Sequence, residues 1–269
     1  MRFMLWLYDL PAWLFALLTM GFFVGISWVG LGLLHRRIHQ ASFATLIDNG
    51  TVGWFFSGVT VLYGLLLGLL TVATWGNYSR AAEVASQEAA SIAVLYRDLA
   101  AYPPAQGRPL RILLRDYTRF IIHDSWPLQR RGMIHDGEAQ RLVALQGPLM
   151  AYEPTSEGGK IIHAEAIRAF NSIVELRRLR AESISGSVPG VIWYVVLVGG
   201  LLTLLFSYLF LVESFWFHGV LVSLLGAVIG LLIFLIAALD HPYWGEVSVS
   251  AGAYELVLLK VMGGLSATQ

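Results

Sequence analysis

The residues that could perform chemistry are scattered along this sequence rather than clustered. Cysteine is absent, which excludes disulfides, thiolate catalysis and zinc–thiolate sites. His123, His135 and His163 lack the spacing of metal ligands, and no H-E-x-x-H motif occurs. The Gly-Gly-Lys run at 158–160 lacks the preceding strand, the spacing and the trailing Ser or Thr of a phosphate-binding loop. The sequence therefore predicts no catalytic site, no resident metal and no cofactor, and we expect a protein that is not an enzyme.

A spacing that suggests a function lies instead in residues 52–78, VGWFFSGVTVLYGLLLGLLTVATWGNY. This stretch has no charged residue, and as a helix it is long enough to cross a hydrocarbon core of about 30 Å. Gly64 and Gly68 form a G-x-x-x-G pair, which suits close helix packing. The alternative is a pore-facing side, where apolar rings can gate by dewetting. By helical position, that side consists of Ser57, Val61, Leu65 and Gly68.

The composition extends this interpretation to the whole chain. Hydrophobic residues make up 57% of the 269 residues and charged residues only 13%, which is typical of a multispanning membrane protein. The formal net charge is zero, so the basic excess that phosphate contacts require is missing. We therefore expect a lipid bilayer as the surroundings and no nucleic acid as a partner.

The apolar runs predict four transmembrane helices, at 11–34, 52–78, 191–212 and about 218–239. Between the second and third lie 26 of the 36 Asp, Glu, Lys and Arg residues. This water-facing region keeps helical apolar spacing, and it predicts an antiparallel bundle with helices at 79–101, 108–131, 136–152 and about 160–183. Pro127 should bend or end the second of these. The fold class is therefore an all-α, polytopic membrane protein with a helical bundle.

Four segments follow from this pattern. They are a first transmembrane pair at 1–78, a helical region at 79–189, a second transmembrane hairpin at 190–239, and a tail at 240–269 that packs on the helical region. The N-terminus, the helical region and the tail share one side of the membrane, near which Arg2, Arg80 and the arginines at 177, 178 and 180 lie. Arg36 and Arg37 lie on the other side. The positive-inside rule then predicts that the helical region is cytoplasmic.

The charges of the helical region allow two interpretations. Glu83, Glu88 and Arg97 lie on the helix that leaves the second span, and Arg111, Arg115 and Arg119 recur every four residues on the next helix. One interpretation is structural pairing across helices or between subunits. The other is that some of these charges line an aqueous vestibule and bias which ion enters. Both signs are present, so the pattern favours neither anions nor cations.

Two separated stretches resemble the bestrophins. The second span and its aromatic exit at Trp75, Asn77 and Tyr78 look like the second span of that family. The run Asp-His-Pro-Tyr-Trp-Gly-Glu at 240–246 resembles the bestrophin Asn-Pro-Phe-Gly-Glu segment. The closer resemblance is to the bacterial bestrophin-like domain family, across most of residues 50 to 250. The residues that fit the family pattern are Trp75, Asn77, Tyr78, Glu88, Arg97, Arg115, Trp126, Asp240 and Pro242.

The resemblance implies a ring of five copies in a bacterial inner membrane, with the second span of each copy lining a narrow neck above a cytosolic vestibule. Calcium-sensing bestrophins carry a dense acidic run after the Pro-Phe-Gly, whereas this chain offers only Asp240 and Glu246 as calcium candidates. We therefore expect an ion channel whose partners are small inorganic ions and further copies of itself. The alternative is a non-conducting, membrane-anchored helical module that binds a partner or senses a signal.

Overall fold

The computed structural model describes residues 7–38 and 47–263. Within these ranges the chain is helical and has no β-strand, which confirms the predicted all-α class. The α-helices are α1 (Ala12–Ile38), α2 (Asn49–Asp98), α3 (Pro104–Phe120), α4 (Trp126–Gln129), α5 (Gly137–Met150), α6 (Glu157–Ser185), α7 (Gly190–Ser207), α8 (Phe215–Asp240) and α9 (Gly252–Leu256). Single π-helical segments follow α3 and α9, at Ile121–Ser125 and Val257–Val261.

Four of the described helical stretches are long and apolar enough to cross a membrane, as the sequence predicted. They are Ala12–His35, Asn49–Ala101, Glu157–Ser207 and Phe215–Asp240. The second is longer than a bilayer requires, because α2 continues without a break through the Ala-rich segment that follows residue 78. Arg2, one of the cations used to predict the orientation, lies outside the described residues.

The chain divides into two compact units. The first comprises residues 1–77 and 187–240, and the second comprises residues 78–186 and 241–269. The first unit therefore contains α1, the initial part of α2, α7 and α8. The second contains the rest of α2, α3 to α6, and the tail that ends with α9.

Glycines of α8 let the first and last membrane helices of the first unit pack backbone to backbone. A Cβ added at Gly226 would lie 3.0 Å from the carbonyl oxygen of Phe23, and one at Gly230 would lie 2.8 Å from the Cα of Met20. A side chain at either position would force the backbone of α1 to shift, so this G-x-x-x-G pair is a packing motif. The pair at Gly64 and Gly68 behaves differently, since an added Cβ there meets nothing within 4 Å in the described chain.

Helix α7 contacts both α2 and α1. On one side the hydroxyl of Tyr63 in α2 donates to the carbonyl oxygen of Val196 at 3.0 Å, and its ring packs against Gly199. On the other side the ring of Tyr208 packs against Gly30 of α1. These contacts bury one face of the membrane portion of α2 and leave its opposite face exposed.

The tail of the second unit packs on the helical bundle. The hydroxyl of Tyr243 donates to the carbonyl oxygen of Ala81 at 3.2 Å, and the indole N–H of Trp126 donates to the carbonyl oxygen of Val249 at 3.1 Å. Gly132 has φ of +71°, and a Cβ there would lie 2.3 Å from the Trp244 ring. Only glycine combines that backbone conformation with that approach.

The second helix of the bundle differs from its predicted bounds. The sequence predicted one element over 108–131, whereas α3 begins at Pro104, ends at Phe120 and passes through a π-helical segment into α4. Pro104 is tolerated in the first turn because its missing N–H would have no intrahelical partner there. The backbone stays helical through the π-helical segment, and Pro127 lies directly after that segment in the first turn of α4.

Candidate functional site

The membrane portion of α2 presents a broad apolar face that nothing in the described chain covers. Val61 is 69% exposed and Leu65 is 58% exposed. Ser57 and Gly68 are also exposed. The Ser57 hydroxyl donates to the carbonyl oxygen of Gly53 at 2.8 Å, so the helix itself satisfies this polar group. All four predicted neck residues are therefore available on the surface of a single chain.

This exposed face lies opposite the face by which α2 packs. The buried residues Tyr63, Leu67, Leu70 and Thr74 follow one another at intervals of three or four, so they form one stripe of the helix. At 3.6 residues per turn, Val61 projects almost directly away from that stripe. Leu65 and Val72, which is 69% exposed, project the same way. The helix thus has one packing face and one bare apolar face.

A buried cluster of charges joins three helices of the second unit. Its centre is the side chain of Arg180 on α6, which is 1% exposed. Its Nε donates to Oε2 of Glu88 on α2 at 2.8 Å, and its Nη2 donates to Oε2 of Glu138 on α5 at 2.8 Å. Longer bonds of 3.3 Å reach the second oxygen of each carboxylate. One guanidinium therefore bridges two carboxylates away from water, in the bidentate geometry that makes such pairs strong.

Two tyrosines complete the surroundings of Glu88. The hydroxyl of Tyr117 donates to Oε1 at 2.8 Å, and that of Tyr254 in α9 donates to Oε2 at 2.9 Å. Burial, and then the charge of Glu88, raise the pKa of both tyrosines well above its ordinary value. Both therefore keep the protons that they donate, and the tail is hydrogen-bonded to the centre of the bundle.

Glu138 is held as a carboxylate by its neighbours. Besides Arg180, it accepts hydrogen bonds from Nε of Arg177 at 3.0 Å and from Nε2 of Gln129 at 3.1 Å. Burial alone would raise the pKa of Glu138, but the charge of Arg180 and its hydrogen bond outweigh burial, so the net shift is downward. The cluster is stabilising only while this carboxyl group is ionised.

Sequence reasoning singled out Glu88, missed Glu138, and used Arg180 only as a cation that predicts the orientation in the membrane, whereas the structure buries Arg180 in an ion pair. The sequence does contain a signal that Arg180 is buried. It follows Ile173 by seven residues and precedes Ile184 by four, so it lies on the apolar stripe of α6. A charge on such a stripe must be buried, and a buried charge needs a partner. Which acid would pair with it depends on how separate helices pack.

The sequence model of the bestrophin-like domain family matches residues 21–254, which is most of the chain. The chain belongs to the bestrophin-like family. The bestrophin-like fold is also found in solved structures. A variant of a bacterial bestrophin homologue from Klebsiella pneumoniae has a TM-score of 0.66 at 10% identity, over 94% of this chain and 99% of that one.

A second structure of a Klebsiella pneumoniae bestrophin homologue, phased with zinc, has a TM-score of 0.64 at 13% identity, over 93% of this chain and 98% of that one. At such low identity the likeness shows the fold alone. No curated protein matches the bestrophin-like chain.

The aromatic exit of α2 is divided between two environments. Trp75 is 57% exposed and Asn77 is also exposed. Tyr78 is half-buried and packs against the hydrophobic core of the second unit. In the bestrophin-like chain these three residues therefore mark the point where α2 leaves the first unit and enters the second.

The arginines that were expected to fit the family pattern form no ion pair within 4.0 Å among the described residues. Arg97 is exposed, and its Nε makes only a long bond of 3.4 Å to the carbonyl oxygen of Ala93. Arg115 is half-buried, and its neighbour Arg111 places its guanidinium 4.3 Å from the centre of the Tyr96 ring. Arg115 and Arg119 form no ion pair with a described carboxylate. Of the charges singled out from sequence, Glu88 is the one that the structure places in a buried pair.

The end of α8 and the segment after it contain the remaining residues that were expected to fit the family pattern, Asp240 and Pro242. Asp240 is buried; its Oδ1 accepts from the backbone N–H of Val188 at 2.6 Å, and its Oδ2 accepts from the indole of Trp193 at 3.2 Å. The carboxylate thus joins the end of α8 to the start of α7. Pro242 is buried, and its carbonyl oxygen accepts from the N–H of Val249 at 2.8 Å. Glu246 is exposed. The described residues include no group of three or more His, Cys, Asp or Glu side chains suited to a metal ion.

Proposed function

We propose that this protein is an oligomeric ion channel, in which α2 of each copy lines a neck that small ions cross. The observation that carries the proposal is the bare apolar face of α2, opposite its packing face. In a ring of copies this face would surround the axis, with Ser57, Val61, Leu65 and Gly68 as the lining residues. The resemblance to bestrophins supports a ring of five.

Ion passage through such a neck needs no chemical step. A ring of Val and Leu side chains offers no hydrogen bonds, so an ion passes by losing part of its hydration shell, and water fills the constriction only intermittently. On this proposal the protein is a channel rather than an enzyme. It lies in a bacterial inner membrane, with residues 79–189 and the tail 240–269 in the cytoplasm.

The test is a substitution that makes the neck polar. Leu65→Ser should raise single-channel conductance several-fold in planar bilayers, because a hydroxyl ring stabilises water in the constriction. Leu224→Ser on α8 is the matched control: Leu224 is 62% exposed and Leu65 is 58% exposed, but Leu224 does not lie on the proposed lining face. The control should conduct like the unaltered protein.

Two results would contradict the proposal in different ways. The absence of conductance from the unaltered protein in every monovalent salt, together with a monomeric mass in native detergent, would remove the channel proposal. It would favour the non-conducting helical module, whose α3 arginines would then bind an acidic partner. A Leu65→Ser conductance equal to that of Leu224→Ser would instead refute the assignment of Leu65 to the neck.

A further inference from the structure

Helices α1 and α7 enclose an apolar groove of about 710 Å³ in the first unit. Its walls include Phe22 and Val29 of α1 and Leu201 and Leu205 of α7. Its floor is open because Gly21 and Gly25 carry no side chains, and a Cβ at either would meet nothing within 4 Å. The volume lies within the range of pockets that bind small molecules, about 300–1,000 Å³.

The groove is elongated along the helices. On α1 it is lined from Gly21 to Leu34, and on α7 from Val198 to Tyr208. At 1.5 Å per residue these runs correspond to roughly 20 Å and 15 Å of helix. Both helices are long and apolar enough to span the membrane, so the groove lies at hydrocarbon depth. A long, narrow and apolar space at that depth has the shape of an extended acyl chain.

One end of the groove carries a positive charge. Gly30 and Leu34 line the groove, and Arg37 follows them at intervals of seven and three residues, so it lies on the same face of α1. Arg37 is exposed and forms no ion pair with a described carboxylate. A guanidinium just beyond the apolar run can reach the headgroup region and bind a phosphate oxygen pair.

The arrangement of helices directs the groove toward lipid. Helix α2 packs on α7 through the face opposite its bare face, and the groove lies on α7 and α1. A ring with the bare face of α2 at its axis would therefore place the groove farther from the axis than α2. This step rests on the proposed function. We propose that the groove binds one acyl chain of an anionic glycerophospholipid, with the phosphate at Arg37 and the chain between α1 and α7.

The experiment maps bound lipid directly on the full-length protein in vesicles. A phosphatidylglycerol with a photoactivatable group in its acyl chain should cross-link mainly to peptides containing residues 21–34 and 198–208. Gly25→Leu should lower that cross-linking several-fold, because the new side chain fills the groove. Gly32→Leu is the matched control, since Gly32 lies on the same helix, has nothing within 4 Å of an added Cβ and does not line the groove.

A second measurement tests the charge. Native mass spectrometry with equal phosphatidylglycerol and phosphatidylcholine should show a preference for the anionic lipid, and Arg37→Gln should reduce that preference toward parity. Cross-links spread evenly over the membrane helices, or equal cross-linking of the Gly25→Leu and Gly32→Leu variants, would overturn the proposal. So would a loss of oligomer mass on Gly25→Leu, because the groove would then be an interface between copies.

The unaltered protein provides the cross-link map even where a variant fails to fold, and Gly21→Leu supplies a second way of filling the groove. The lipid measurements do not depend on conductance. A protein that conducts without retaining lipid would refute only the groove proposal, and one that retains lipid without conducting would refute only the channel proposal.

Discussion

Replacing Glu88 by glutamine tests whether the buried charge cluster holds the second unit together. Glu88→Gln preserves the size of the side chain but leaves Arg180, which is 1% exposed, with only Glu138 as a counter-charge. The amide nitrogen would also face donors, since Arg180, Tyr117 and Tyr254 all donate to the two oxygens of Glu88. Breaking a buried ion pair in this way costs about 3–5 kcal/mol.

The expected loss is large enough to measure by thermal unfolding. For a domain of this size class each 1 kcal/mol shifts Tm by about 2–4 °C, so Glu88→Gln should lower Tm by roughly 6–20 °C. Intrinsic fluorescence can follow the transition, because Trp126 lies 5.6 Å from the Arg180 guanidinium and senses the loss of this packing. Glu83→Gln is the matched control on the same helix: Glu83 is exposed, and its substitution should change stability by no more than about 0.5 kcal/mol.

A double variant separates charge from packing. Glu88→Gln leaves the buried Arg180 with one carboxylate partner fewer. Glu88→Leu combined with Arg180→Met removes both charges of the pair, and Glu138 then keeps only Arg177 as a cationic partner. Apolar replacement of a buried pair is often close to neutral, so the double variant should lose less than the sum of the two single losses. Equal Tm values for Glu88→Gln and Glu83→Gln would refute the reasoning.

Three further predictions concern other contacts. The folded-state pKa of Glu138 lies below its ordinary value of 4.5, so the contribution of this carboxylate to stability is present above that pH and is lost as the pH falls below it. Glu138→Gln should therefore reduce the fall in Tm at acid pH when Tm is measured over a pH series. Asp240→Ala should lower the free energy of unfolding by about 1–3 kcal/mol, because the N–H groups of Val188 and Trp193 lose their acceptor. Added calcium should not restore this stability. Gly132→Ala should lower Tm and displace Trp244, whereas Gly158→Ala, at an open helical position, should raise Tm slightly.

The membrane helices could be predicted because lipid imposes a simple requirement. A spanning segment must satisfy its own backbone and remain apolar over about 20 residues, and the runs around Phe22, Leu65 and Leu202 show this directly. The residues of the bare face of α2 could also be identified from the sequence, since its small and apolar residues recur at helical spacing.

The contacts between distant helices could not be predicted in the same way. Glu88, Glu138 and Arg180 come from three separate helices, so no local spacing connects them. The two G-x-x-x-G pairs show the same difficulty. Gly64 with Gly68 and Gly226 with Gly230 have the same sequence pattern, yet only the α8 pair packs on another helix of the described chain. A pattern shows that close approach is allowed, whereas the tertiary structure determines where it occurs.

The close packing of α1 on α8 has a consequence for biosynthesis. Helix α1 ends at residue 38 and α8 begins at residue 215, so the ribosome must add about 180 more residues before α1 can meet the glycines it packs against. At about 5–20 residues per second this takes roughly 9–35 s. During that interval the surface of α1 that packs on α8 in the folded chain faces lipid or another part of the nascent chain instead.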